Sequence, residues 1–272
     1  RHDEMRSQLT LAGLRQQQFN YGLAVEHSEK AVRLSRELGA PLYGISALDY
    51  AAKAFGGCGD YQRAHRCFEQ ILTHSRKMGI RSWQGRALID LAYAASAMGH
   101  CEQAVPRVQH ALALAHETGD RGLRADALRH LGHHLEALAR CDEAGAAYEQ
   151  SLVLRRQMGI VNAALEPQAG LARVHLATGD LARALELVEG ILDHLENGTL
   201  EGTEQPLLVY LTCYRVLQTA GDTRAEAVLE EGYRLLQEIA GKLTDPELRQ
   251  SFLENVPAHR ELAQEYERLY KR

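Results

Sequence analysis

Residues 79–119 read GIRSWQGRALIDLAYAASAMGHCEQAVPRVQHALALAHETG, and this stretch decides the fold. Its apolar residues fall into two stripes. Ala87, Leu88, Leu91 and Ala95 stand at i, i+1, i+4 and i+8, and Met98-Gly99 follows. Ala104, Val108, Ala111 and Leu112 stand at i, i+4, i+7 and i+8, and Thr118-Gly119 follows. Each stripe has the period near 3.6 of a helix with one buried face. A glycine just past a helix takes the left-handed conformation that closes the last turn. The stretch therefore encodes two helices of roughly 16–18 residues, each stopped by glycine.

Working outward, the same text recurs. Gly39, Gly79, Gly119 and Gly159 are 40 residues apart. Midway between them stand Gly59, Gly99 and Gly179, with Ala139 filling the fourth slot. Ala24, Ala64, Ala104, Ala144 and Ala184 keep the same period, as do Leu48, Leu88, Leu128 and Leu11, Leu91, Leu131, Leu171. Such self-similarity marks a repeat architecture. The units run 1–40, 41–80, 81–120, 121–160, 161–202 and 203–243. The 23 glycines of an otherwise helix-forming chain thereby gain a reason. An interior glycine costs about 1 kcal/mol against alanine, but most of the excess punctuates helices. Asp60, Asp120, Asp180 and Asp222 each follow such a glycine and are expected to cap the next helix. The alanine series, with Ala12, Ala52, Ala92, Gly132 and Ala172, is expected to let paired helices approach closely; a large residue there would cost about 1–3 kcal/mol.

The period loosens toward the C-terminus. Gly179 to Gly221 spans 42 residues, and the excess falls in Asn197-Gly198-Thr199-Leu200-Glu201-Gly202, expected as a flexible loop. Pro106 sits in a first helical turn, where it is tolerated; Pro167 is expected to delay or kink its helix. Thr244-Asp245-Pro246-Glu247 is a helix start, and Val256-Pro257 begins another helix carrying Leu262, Tyr266, Leu269 and Tyr270. Residues 244–272 are expected to form capping helices, because each repeat buries a face only on its neighbour.

Composition narrows the function. The chain has 272 residues, 31 Lys+Arg and 36 Asp+Glu, for a net charge of −5. Mild acidity speaks against general nucleic-acid binding, which needs a basic face. No apolar run is long enough to span a membrane, and the N-terminus has no apolar signal region. The chain starts at Arg1 rather than Met, which suggests a part of something longer. Its five cysteines, Cys58, Cys67, Cys101, Cys141 and Cys213, are scattered without a C-x-x-C pair, as in a reduced, cytoplasmic protein.

The residues carry a family resemblance. Leu88, Leu91 and Ala92 followed by Ala104 resemble the tetratricopeptide repeat. Leu128, Leu131 and Gly132 with Ala144 and Tyr148 do the same, as do Leu48, Ala51, Ala52 and Phe55 with Ala64 and Phe68. The 40-residue period is similar to the long-helix subclass found in sensor regions of bacterial signalling (STAND-type) ATPases such as the maltose-regulon activator. The resemblance implies an all-α, right-handed α-solenoid of about six helical hairpins with a C-terminal helical cap. It further implies a bacterial protein-protein interaction or ligand-sensing scaffold, the regulatory part of a larger signalling ATPase.

Chemistry-bearing motifs are scarce. There is no G-x-x-x-x-G-K-[ST] phosphate loop, no G-x-S-x-G elbow and no H-E-x-x-H pair. Gly56-Gly57-Cys58-Gly59-Asp60 lacks the Lys-Ser/Thr of a phosphate loop. His130, His133 and His134, with Cys101, Cys141 and His100, offer zinc-ligand types without a tetrahedral set. No enzyme activity, cofactor or metal is expected. In a solenoid of this family the first helix of each hairpin lines the concave groove. Stepping by 40 along that face gives Gly13, Lys53, Tyr93, His133 and Arg173, and the next unit adds Arg215. With Arg129 from the neighbouring line, Lys53, Tyr93, Arg129, His133, Arg173 and Arg215 form a candidate binding line, basic and aromatic on an acidic chain. Such a line suits an acidic or C-terminal peptide, or a neighbouring domain of the same protein. The alternatives are a free-standing scaffold or co-chaperone, and a small-molecule sensor with a pocket near Trp83 and Tyr93.

Overall fold

The structure is a computed structural model that describes residues 1–100 and 103–270. Cys101, one of the residues weighed for metal binding, lies outside the described residues. The described chain is all α-helix. Six hairpins run in sequence. They are α1 (His2–Gln17) with α2 (Tyr21–Glu37), α3 (Pro41–Gly57) with α4 (Tyr61–Lys77), α5 (Arg81–Ala97) with α6 (Ala104–Thr118), α7 (Arg121–Ala137) with α8 (Cys141–Gln157), α9 (Val161–Ala177) with α10 (Leu181–Asn197), and α11 (Pro206–Ala220) with α12 (Ala225–Gly241). Two further helices follow, α13 (Pro246–Glu254) and α14 (Pro257–Tyr270). None of the described helices is long and apolar enough to cross a membrane.

The helices stop where the punctuation says. Gly39, Gly59, Gly79, Gly99, Gly119, Gly159 and Gly179 all have positive φ, between 61° and 91°. Phe19 and Ala139 occupy the two remaining slots of this 20-residue series and hold the same backbone, each at φ 55°. The residue after each slot donates its N–H five residues back: Ala40 to the Ser35 carbonyl at 2.8 Å, Asp60 to Phe55 at 2.9 Å, Arg140 to Leu135 at 2.9 Å. This six-to-one bond is the Schellman closure, which satisfies carbonyls the helix end would leave bare. Asp60, Asp120 and Asp180 then cap the next helix, accepting the N–H groups of Arg63, Leu123 and Arg183 at 2.9–3.1 Å. Asp222 differs. It accepts the Arg224 N–H at 2.9 Å in a local turn, and α12 begins only at Ala225.

Ala24, Ala64, Ala104, Ala144 and Ala184 are each 0% exposed, so the alanine series does line the inter-helix seams. Pro167 neither delays α9 nor ends it: the helix begins at Val161 and runs through the buried proline to Ala177.

The chain divides into two compact units. Unit 1 comprises Arg1–Leu123 and Ile239–Val256; unit 2 comprises Arg124–Glu238 and the chain from Pro257. In unit 1 the hairpins stack in chain order, and α13 docks on the first two of them. The Phe252 and Tyr21 rings lie 6.3 Å apart, and Asn255 Nδ2 donates to the Gly59 carbonyl at 3.4 Å. Gly59 lies so close to α13 that a Cβ there would sit 2.8 Å from the Ser251 carbonyl oxygen. The glycine-rich stretch 56–59 is thus a packing surface. In unit 2, α14 packs on α11, where Tyr214 donates its hydroxyl to Glu265 at 2.8 Å and Arg215 pairs with Glu261. The two terminal helices therefore belong to different units.

Candidate functional site

The densest polar cluster of unit 2 lies where α7, α9 and α11, the first helices of three hairpins, face one recess. Arg129, His133, Tyr148, Glu166, Ala169, Arg173, Gln205, Leu208 and Val209 line it. Its centre is the Tyr148 ring, which α8 inserts against α7 and α9. Only glycine permits this. A Cβ on Gly132 would sit 2.8 Å from the ring, and one on Gly170 would sit 2.5 Å from it.

Every cation of the cluster has a carboxylate. Arg173 grips Glu136 through two nitrogens, at 2.7 and 2.9 Å, and donates to the Tyr148 hydroxyl at 3.1 Å and to Thr212 Oγ1 at 3.2 Å. Tyr148 in turn donates to Glu136 at 2.7 Å. Arg129 is 6% exposed and pairs with Glu204 and, at 3.7 Å, with Glu166. Glu166 also accepts the backbone N–H groups of Glu204 and Gln205, at 3.1 and 2.8 Å, at the start of α11. The loop expected to be flexible is therefore anchored. Leu200 is buried, Asn162 Nδ2 donates to the Glu201 carbonyl at 2.9 Å, and Glu204 reaches back to Arg129.

The protonation states follow from burial and pairing. Burial works against the charge of Arg129, but Glu166, Glu204 and Asp126 outweigh it and hold the guanidinium above its ordinary range. The same holds for Arg173, where Tyr148 and Glu136 overcome burial. Burial raises the Glu166 carboxyl; Arg129 opposes that rise and Glu204 adds to it. Burial, then the nearby Arg173, pushes His133 well below the usual imidazole range, and burial with Arg129 lowers His130. His134 is pushed down to about 3, by burial first and His130 second. These histidines are neutral at pH 7. Among the described residues no three His, Cys, Asp or Glu side chains are grouped to hold a metal ion.

The six residues of the line read from the sequence fall in both units. Arg129, His133 and Arg173 converge on the recess. Arg215 lies on α11 and pairs with Glu261 of α14. Lys53 and Tyr93 belong to unit 1, where Lys53 pairs with Asp49 at 3.3 Å and Tyr93 packs edge-on against Tyr61, centroids 6.0 Å apart. The four cations of the line, Lys53, Arg129, Arg173 and Arg215, are thus all ion-paired within the chain. Around the recess, three carboxylates (Glu136, Glu166, Glu204) face two guanidiniums (Arg129, Arg173). Spacing along one face could not reveal Glu136 and Glu204. Glu136 does stand 37 residues before Arg173, nearly one repeat, and that offset is a readable signal. Glu204 follows directly on the insertion, where the 40-residue register is lost. The free space of the recess is about 20 Å³, room for one water. Small-molecule pockets run to several hundred Å³, so a ligand here lies across the helices rather than inside them.

Solved structures share this architecture. A Rap protein complexed with competence and sporulation factor matches with a TM-score of 0.69 at 15% identity, covering 97% of this chain and 76% of that one. A signal-transduction ATPase with numerous domains that has a tetratricopeptide repeat sensor, from Pyrococcus horikoshii, matches with a TM-score of 0.57 at 18% identity, covering 91% of this chain and 38% of that one. Kinesin-light-chain TPR-like repeats from Podosopora anserina match with a TM-score of 0.52 at 24% identity, covering 71% and 95%.

The fold is tetratricopeptide-like.

No protein-family model matches the sequence, and no curated protein is similar to it in sequence. At these identities the tetratricopeptide-like likeness is one of fold.

Proposed function

We propose that the chain is a protein-protein interaction module that binds a polypeptide segment across α7, α9 and α11. The observation that carries this reading is the recess itself. His133 and Leu208 stand half-buried at a surface built on rigid helices, while every cation behind them is held by a carboxylate. A pre-organised, shallow surface whose accessible lining is largely apolar, over ion pairs that are already satisfied, suits an extended chain. An acidic ligand would compete with Glu166 and Glu204 for Arg129, and with Glu136 for Arg173. The segment bound here is therefore neutral overall rather than acidic. The 40-residue period and the likeness to a signalling-ATPase sensor support a regulatory part of a larger bacterial, cytoplasmic signalling protein. A phosphate-loop domain encoded in the same gene product would distinguish that role from a free-standing scaffold.

The test is selection of a random peptide display library on the purified chain. Charge reversal at Arg129 or Arg173 is a poor control, because removing one partner of a buried pair costs about 3–5 kcal/mol. The His133→Ala/Leu208→Ala double variant removes accessible lining and leaves every ion pair. Selected peptides are expected to lose binding to it. No selection above background, or peptides that bind both proteins equally, would refute the reading.

A further inference from the structure

Unit 1 holds a second cavity, of about 190 Å³, bounded by the end of α2, the start of α3 and the end of α4. Comparison with the next repeat of the same unit shows what opens it. One period on, Ala40 becomes Ile80, Gly44 becomes Gln84 and His74 becomes Leu114. At that second junction larger side chains take these positions. Gln84 Nε2 donates to the Ser75 carbonyl at 3.2 Å, and Leu114 is buried. At the first junction two side chains are cut back to Ala40 and Gly44, and the third is an exposed His74. Gly44 is held there by contact, since a Cβ would meet Ser35 Oγ at 2.7 Å. The walls are Val32, Ile45 and Leu48. Beside the cavity Leu42 is 50% exposed, where the other repeats have Ser82, Gly122 and Asn162.

The geometry points to a docking site for one apolar side chain of a partner polypeptide, with an acidic residue of that partner beside it. A cavity of about 150 Å³ lined by aliphatic groups takes a benzene, so a leucine, isoleucine or phenylalanine side chain fits here. The charge follows from the rim. Arg36 and His74 line the cavity and are exposed, and Arg36 has no ion pair among the described residues. The guanidiniums of the unit 2 recess are held by carboxylates; this one is open to a carboxylate from outside. The site is separate from the one proposed above and does not depend on it.

The probe is the capped peptide Gly-Ser-Asp-Leu-Asp-Ser-Gly, titrated into the whole chain and followed by backbone amide shifts. Shifts are expected at Val32–Leu48 and His74, saturating in the millimolar range. Replacing the leucine by alanine should weaken binding about tenfold, and replacing both aspartates by lysines about fivefold. Ala40→Ile restores the residue type of position 80, so the fold tolerates it, and it should weaken binding about tenfold. Arg36→Gln should abolish the preference for aspartate while keeping that for leucine. Binding unchanged by Ala40→Ile, equal binding of the lysine peptide, or no shift at these amides at about 10 mM peptide would each overturn the assignment. His133→Ala/Leu208→Ala serves as the separating control: it should leave this titration unaltered whether or not the unit 2 reading stands.

Discussion

His134 gives the sharpest stability prediction. Both ring nitrogens are buried and have no hydrogen-bond partner, although the ring lies 6.5 Å from His130 and 6.1 Å from His133. The equivalent residues of the other units, Leu14, Ala54, Ala94 and Val174, are all apolar. A buried polar group without a partner costs about 1–3 kcal/mol, so His134→Leu should stabilise the chain by about 1–2 kcal/mol at pH 7. Acid adds a second effect. Burial depresses this imidazole from 6.5 to about 3 in the folded chain. Between those values the unfolded chain binds a proton that the folded chain refuses, so stability is full above pH 6.5 and falls as the pH drops. At pH 5, some 1.5 pH units below the unfolded value, the loss is about 2 kcal/mol at about 1.4 kcal/mol per unit. His130 and His133 act in the same direction, and the raised Glu166 acts in the opposite one. The assay is therefore a comparison of urea melts of wild type and His134→Leu at pH 7 and pH 5. The advantage of the variant should grow by about 2 kcal/mol on acidification. An advantage that stays constant between the two pH values would refute the buried, neutral His134.

Other expectations are smaller in scope. Ala139→Gly relieves a left-handed alanine at an exposed turn, φ 55°, and should raise stability by about 0.5–1 kcal/mol after the entropy of the unfolded glycine is deducted, read as a melting shift of about 1–4 °C. Gly170→Ala places a methyl 2.5 Å from the Tyr148 ring and should cost about 3 kcal/mol or more, seen as loss of the near-UV signal of unit 2 before that of the whole chain. Tyr148→Phe removes a donor to Glu136 and an acceptor for Arg173, and should cost about 1.5–3 kcal/mol in the same urea assay.

The sequence discloses the fold through local physics repeated many times. Each turn at residues 19 to 179 is closed by bonds within six residues, so its period survives in the text even where Ala139 replaces glycine. Phe19 holds the same conformation in a slot with no glycine to announce it, and only the 20-residue count locates it. The convergence of the candidate line is legible only in part. Arg129, His133 and Arg173 do converge, because equivalent residues of stacked hairpins stack. The neutralisation of the two arginines is hidden because it comes from carboxylates elsewhere in the chain, 75 residues away for the Arg129–Glu204 pair. Glu204 lies where the period breaks, and no spacing rule reaches it. The packing partners of the terminal helices are hidden for a similar reason. What α13 packs on, at Tyr21 and Gly59, is remote in the chain and leaves no trace in local pattern.

The most direct measurement takes a peptide selected on the chain and maps its binding by backbone amide shifts at low and high salt. Perturbed amides should cluster at Arg129–His133, Ala169–Arg173 and Gln205–Val209, with affinity changing less than about threefold between about 50 and 500 mM NaCl, because the cations behind the surface are already paired. Perturbations confined to other helices, or a weakening of about thirtyfold over that range, would contradict a neutral polypeptide lying across α7, α9 and α11.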